Sequence, residues 1–351
     1  MLDPPISFFF HQPKDIAMKS FSLVRILLLV IAIQLPCFAT SHSSEDKLKL
    51  IIFGDSLVDI GNDLSASYFQ TTPDGLLVPG LVIPPATRYD RGNFSNGPVV
   101  SNFLAHKLKV AIKPSTQGFD FNTDSVSYGY GGSENGIQNL TPGLMLVPGL
   151  LGQVQQYIAG VEENNASLDN TVFFMWTGAN DYFNNLALGI EPDPFLAAKN
   201  ILEAAAAITD NGGELVVVGN LPDLGQTPFC NIFGICDLLS QLTYVHNDLL
   251  AQGVESLNST TEAKVVLFDA FTIFNKILAA PADYDLPNNV GTGPASGCLF
   301  QPPATFLLEN CTAVPFKSTS VFWDEMHPAT ETHKIFANEV WKKCIKKNLR
   351  D

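Results

Sequence analysis

Three residues of the types that activate a hydroxyl stand at positions one fold could unite: Ser56, Asp324 and His327. A serine attacks a carbonyl effectively only when a base takes its proton. Of the histidines, His11 and His42 lie near the start, His106 stands beside Lys107 and Lys109, and His246 and His333 fall within helical patterns. His327 alone occupies a loop-like context, Asp324-Glu325-Met326-His327-Pro328, just ahead of a helix whose first turn suits Pro328. Asp324 precedes it by one turn of chain, and a carboxylate on one ring nitrogen fixes the tautomer and stabilises the imidazolium. Taken singly, a serine after a strand is more often a helix N-cap. The Asp324–His327 pair alone reads equally as polar residues at a helix start. A developing alkoxide charge also needs an anion site. Gly131-Gly132-Ser133 lets a backbone N–H approach a bound group, and Asn180 in Gly178-Ala179-Asn180-Asp181 offers a side-chain amide. Each Gly-rich stretch by itself is more often a turn.

These residues follow short apolar runs that read as buried strands: 48–53, 125–128, 171–176, 214–218 and 264–268. Helical patterns lie between and after them, over 98–109, 151–161, 194–209, 238–257 and 330–346. Alternating buried strands and helices predict a three-layer α/β fold with a parallel sheet of about five strands. The sequence reads as one domain from residue 40 to 351, with two long irregular stretches, 63–96 and 281–320. In such a sheet, ligands sit beyond the carboxyl ends of the strands, where Ser56, Gly132 and Asn180 fall.

The chain has 351 residues, 46% apolar and 16% charged, enough for a large core and unlike a disordered protein. Its net charge of −15 repels phosphate backbones, which disfavours nucleic-acid partners but leaves lipid contact open. No H-E-x-x-H, C-x-x-C or Walker-type Gly-Lys-Ser/Thr is present, and Gly129-Tyr130-Gly131 lacks the last glycine of a dinucleotide fingerprint. No metal and no cofactor are expected. There is no G-x-S-x-G elbow either.

Lys19 and Arg25, the apolar run 26–33 and Ala39 read as a secretory signal. The signal would start at Met18, with residues 1–17 an extension, and the protein is expected outside the cell. Export permits disulfides. Cys230–Cys236 and Cys298–Cys311 are the expected pairs because short loops close most easily, which leaves Cys344 free.

The stretch Phe53-Gly54-Asp55-Ser56-Leu57-Val58-Asp59-Ile60-Gly61-Asn62 resembles the first signature of the GDSL, or SGNH, serine esterases and lipases. Tyr130-Gly131-Gly132-Ser133, Gly178-Ala179-Asn180-Asp181 and Trp323-Asp324-Glu325-Met326-His327-Pro328 are similar to the later signatures, in the family's order. Residues 91–98 resemble a segment of the phospholipase, lecithinase and haemolysin branch, with Asn93 where that branch usually has Arg. The resemblance implies a flavodoxin-like fold, with Ser56 as nucleophile, His327 as base and Asp324 as its orienter. It implies an oxyanion hole from Gly132, Asn180 and the Ser56 N–H, with Gly131 the alternative to Gly132. It implies cleavage of carboxylic esters through an acyl-enzyme, or acyl transfer where a second alcohol arrives before water. Activity is expected to fall as His327 protonates, at about pH 6–7 for an ordinary imidazole.

The abundant Phe, the apolar segments 76–78 and 144–147 and the expected export favour lipid esters, of lipase, lysophospholipase or phospholipase A type, although such segments are more often core or loop packing. A carbohydrate-ester (acetyl) esterase and a non-catalytic lipid-binding or membrane-damaging protein are the rival readings. The basic cluster Lys342, Lys343, Lys346, Lys347 and Arg350 could touch a membrane surface, but more simply complements the end of the last helix. A Cys298–Cys311 bridge would tether a loop over the site.

Overall fold

Valine, isoleucine and phenylalanine dominate the central strands, and this composition fits strands covered on both faces. The computed structural model describes residues 47–68, 83–141, 145–297 and 315–349. In chain order, β1 is Lys49–Gly54, followed by α1 (Asn62–Tyr68) and α2 (Val100–Leu108). Then come β2 (Ile112–Pro114), β3 (Ser125–Ser127), β4 (Gln138–Leu140), β5 (Leu146–Pro148) and α3 (Leu150–Glu163). They are followed by β6 (Thr171–Trp176), α4 (Ala179–Ala187), α5 (Pro194–Asp210) and β7 (Leu215–Gly219). The remainder is α6 (Pro228–Phe233), α7 (Cys236–Thr260), β8 (Lys264–Phe268), α8 (Ala270–Ala279) and α9 (Thr330–Val340).

Six strands form one parallel sheet in the order β2-β3-β1-β6-β7-β8. The chain leaves β1 toward β3 on one side and returns to β6 on the other. That reversal is the switch point where doubly wound sheets open a crevice for ligands. Along β6, Val172, Phe174 and Trp176 pack with α2, α8 and α9, while Phe173 and Met175 pack with α3, α5 and α7. Each large side chain so buried contributes about 1.5–3 kcal/mol.

The sheet has one strand more than the five expected. The extra strand, β2, is three residues long and ends in Pro114, so its apolar signal is weak. It sits at an edge and pairs only with β3, where a proline is tolerated. The antiparallel pair β4–β5 is also new, with Leu140 opposite Leu146. Helix α1 occupies the start of a stretch read as irregular, and α4, α6 and α8 are further helices that the periodicity did not reveal. The last helix pattern ends at Val340 and continues as a wider turn, Trp341–Ile345. Cys230 and Cys236 are bridged and Cys344 is a buried free thiol, while Cys298 and Cys311 lie outside the described residues. The expected signal segment also lies outside them. No described helix is long and apolar enough to cross a membrane.

Candidate active site

The switch point gathers the singled-out residues. Strand β1 ends at Gly54, whose φ of +147° suits glycine. A Cβ there would stand 2.1 Å from the Trp176 carbonyl oxygen of the neighbouring strand. Ser56 follows in a tight turn, closed by Val58 N–H and Asp59 N–H donating to the Asp55 carbonyl at 3.1 and 3.0 Å. The Ser56 hydroxyl lies 2.8 Å from His327 Nε2, although 271 residues separate the two. His327 Nδ1 lies 2.6 Å from Asp324 Oδ2. With Nδ1–H donating to the carboxylate, Nε2 is left to accept the serine proton. Ser56, Asp324 and His327 are all buried, which strengthens these polar contacts.

The electrostatics agree with that geometry. Burial acts to lower the imidazole, but the Asp324 carboxylate, with Asp55 and Glu325 further off, outweighs it and raises His327 above its ordinary 6.5. Burial acts to raise the Asp324 carboxyl, yet the imidazole and hydrogen bonds from His327 and Tyr89 hold it below its ordinary value. His246 and His333 are pushed down to about 3 by burial and stay neutral at working pH. His246 bonds Tyr182, and neither ring nitrogen of His333 has a described partner. Burial likewise pushes Asp55 up to about 7.

Asn180, in the first turn of α4 after β6, lines the same recess as Ser56 and His327, and Gly132 follows β3 in the loop whose Ser133 carbonyl Asn180 bonds. Gly132 has φ of +75°, and a Cβ on it would meet the Thr141 side chain at 2.7 Å. Among the described residues no acceptor bonds the N–H of Gly132 or of Ser56. The Gly131 N–H, by contrast, donates to Asp59 Oδ2 at 3.2 Å. Asn180 spends one amide hydrogen on the Ser133 carbonyl at 3.0 Å, which leaves its other N–H to donate. Two backbone N–H groups and one amide beside a serine–histidine–aspartate relay can hold a tetrahedral oxyanion. Beside Ser56 lies a recess of about 630 Å³ including its open mouth. Its lining includes Phe183, Leu221, Leu224, Phe274, Phe322 and Met326, so it is an apolar slot.

Several supporting residues had no assigned role from sequence. Gln153 of α3 bonds both the N–H and the carbonyl of Gly54, each at 2.9 Å, and Ser133 Oγ at 3.0 Å. It ties the serine loop to the glycine loop. A lone amide on the buried face shared with Leu150, Val154 and Tyr157 was the available signal. Asp59 accepts from the N–H groups of Gly61, Asn62, Asp63 and Gly131, and burial still pushes it up to about 6. Phe94 lies against the His327 ring, centroids 5.3 Å apart, and Tyr89 donates to Asp324.

A parallel α/β sheet with a hydroxyl, imidazole and carboxylate in series is the arrangement of a serine-type hydrolase. Residues 50–340 match the family described as GDSL-like lipase/acylhydrolase. The chain belongs to that family, whose members are esterases and acyltransferases. It is 26% identical to the phosphatidylcholine-sterol acyltransferase of Aeromonas hydrophila, over 81% of this chain and 86% of that protein. It is 28% identical to a GDSL esterase/lipase of Arabidopsis thaliana, over 81% and 83% respectively. Among solved structures it is similar to an acetyl xylan esterase, at 12% identity and TM-score 0.41, covering 84% of this chain and 98% of that one.

Proposed function

We propose that the protein is a secreted enzyme acting on lipid esters, with Ser56 as nucleophile, His327 as general base and Asp324 as the group that orients and charges the imidazole. Ser56 Oγ attacks the ester carbonyl as His327 Nε2 takes its proton. The carbonyl oxygen, now negative, is held by the Ser56 and Gly132 N–H groups and the Asn180 amide. His327 returns the proton to the departing alcohol and an acyl-enzyme remains. Water, or a second alcohol, then attacks with His327 again as base, so hydrolysis and acyl transfer share one site.

The observation that carries this reading is the unbroken relay from Ser56 through His327 to Asp324, at 2.8 and 2.6 Å. Support for a lipid acyl group comes from the apolar slot and from exposed hydrocarbon near the glycine loop. Leu140 and Leu146 of the β4–β5 pair are 55% and 62% exposed, and Asn139, the middle residue of β4, bonds the Gly132 carbonyl at 2.9 Å. Leu188, at the end of the helix that begins with Ala179 and Asn180, is 72% exposed. The Aeromonas relative is a phosphatidylcholine-sterol acyltransferase, which supports the same reading. Contact with a membrane surface belongs to this proposal, as does secretion. The basic cluster supports it less, because Lys342 and Lys343 lie against Glu339.

The test is a panel of p-nitrophenyl esters from acetyl to palmitoyl, run beside phosphatidylcholine, lysophosphatidylcholine and acetylated xylan with Ser56→Ala as control. Long-chain and phospholipid turnover, lost in Ser56→Ala, is the expected result. Turnover confined to acetyl esters and acetylated xylan would favour the carbohydrate-ester reading. Full membrane effects in Ser56→Ala would favour a non-catalytic protein.

A further inference from the structure

The carboxylate of Asp324 carries more than the histidine. Its Oδ1 accepts the backbone N–H groups of Met326 and His327, at 2.8 and 2.7 Å. Its Oδ2 accepts His327 Nδ1 at 2.6 Å and, on the same oxygen, the Tyr89 hydroxyl at 2.6 Å. Tyr89 is buried and comes from a part of the chain 235 residues away. Its loop is fastened to the acid–base loop at further points. Trp323 Nε1 donates to the Arg88 carbonyl at 2.8 Å, Ser95 Oγ to the Pro328 carbonyl at 2.9 Å, and Thr330 N–H to Asn96 Oδ1 at 2.9 Å. Behind the hydroxyl, the Tyr89 ring packs against Phe94, which itself lies on the His327 ring.

We propose that Tyr89 is a positioning residue of this site, whose hydroxyl holds Asp324 Oδ2 in line with His327 Nδ1 and shares the carboxylate's charge with the imidazole. The proposal rests on the assignment of His327 as base. Two donors on one oxygen leave the carboxylate no freedom to rotate, so the imidazole keeps one orientation. They also compete: each hydrogen bond to the carboxylate withdraws negative charge that would otherwise stabilise the imidazolium. Burial and the adjacent Asp324 hold the Tyr89 phenol far above its ordinary range, so it remains a donor at every working pH. The groups facing His327 are Asp324 and Glu325 from its own loop, Asp55 from the end of β1 and His333 from α9, with Arg88 behind Tyr89.

Removal of the hydroxyl leaves Asp324 more basic while His327 is neutral, so the imidazole binds its proton more tightly. In Tyr89→Phe the acid limb of kcat/KM therefore moves up, by about half a pH unit or more. At the plateau kcat falls about tenfold with KM little changed, because the lost contact aligns the base without touching substrate. A purely structural role would lower the amount of active protein without moving the limb. Proteins are first titrated with a fluorophosphonate, and rates are expressed per labelled Ser56. The downfield proton resonance of His327 Nδ1–H is recorded in parallel and is expected to shift in the variant. Site-specific 3-fluorotyrosine at position 89, which is a stronger donor and disturbs packing least, is expected to move the limb the other way. It also serves if Tyr89→Phe does not fold. A limb and resonance at wild-type positions in the folded variant, or in the fluorotyrosine protein, overturn the role given to Tyr89. Failure of the reagent to label Ser56 in the wild type would instead overturn the catalytic assignment beneath it.

Discussion

The two halves of the site are built differently. The half proposed to carry the nucleophile and the oxyanion site stands on strand ends: Ser56 after β1, Gly132 after β3 and Asn180 after β6, neighbours in one parallel sheet. Its backbone is fixed by the sheet and by Gln153, which reaches the serine and glycine loops together. Among the described residues, the half proposed as acid and base has no strand beneath it beyond a single bridge between Phe322 and Pro328. It is held by scattered bonds from distant loops: Arg88, Tyr89, Ser95 and Asn96 on one side, and Phe229 N–H on the Glu325 carbonyl on the other. A sheet fixes its strand ends as a unit, whereas a loop held by separate bonds can be shifted one bond at a time. The nucleophile's half should therefore tolerate little, and the base's half should be tunable.

The largest effect is expected from Ser56→Ala, which removes the attacking atom. A loss of about 10⁴-fold or more in kcat is expected, with the fold intact by circular dichroism. Retained ester turnover would break the comparison at its centre. Next, Asn180→Ala takes one donor from the oxyanion site, and kcat is expected to fall about 10²–10³-fold with KM little altered. A change confined to KM would place the amide on substrate instead. Gln153→Leu is expected to act on stability as well as on rate. It leaves the Gly54 N–H buried without an acceptor and costs about 1–3 kcal/mol in a denaturant titration. No loss of stability would show that the strand ends do not depend on this amide.

Much of this was legible in the sequence because it is local. Ser56, Gly132 and Asn180 each follow an apolar run, and Asp324 lies one turn before His327. What was not legible is the contact made across the chain. Nothing in the composition of the 83–98 loop announces that Tyr89 will meet Asp324, or that Phe94 will lie on His327. Nor does the sequence announce that Asp59 takes the Gly131 N–H. β2 was lost for a different reason, since three residues with a lysine and a proline carry almost no periodicity.

The smallest predicted effect concerns pH. Only neutral His327 can take the Ser56 proton, so activity falls as pH drops through its pKa. Asp324, with Asp55 and Glu325, raises that pKa above 6.5, so the acid limb of kcat/KM is expected above pH 6.5, higher than an unperturbed imidazole would give. His246 and His333, held near 3 by burial, cannot supply the limb. A midpoint below 6.5 would mean that the loop-held half lets its carboxylate drift from the ring.

The central claim is that the Ser56 hydroxyl, activated by His327, forms the covalent intermediate. It is tested most directly by reacting the protein with a fluorophosphonate and mapping the adduct by peptide mass spectrometry. One equivalent on Ser56, forming at least a hundredfold more slowly in His327→Ala on the scale of a lost general base, is the predicted result. An adduct on another residue, or labelling of Ser56 at an unchanged rate without the imidazole, would contradict it.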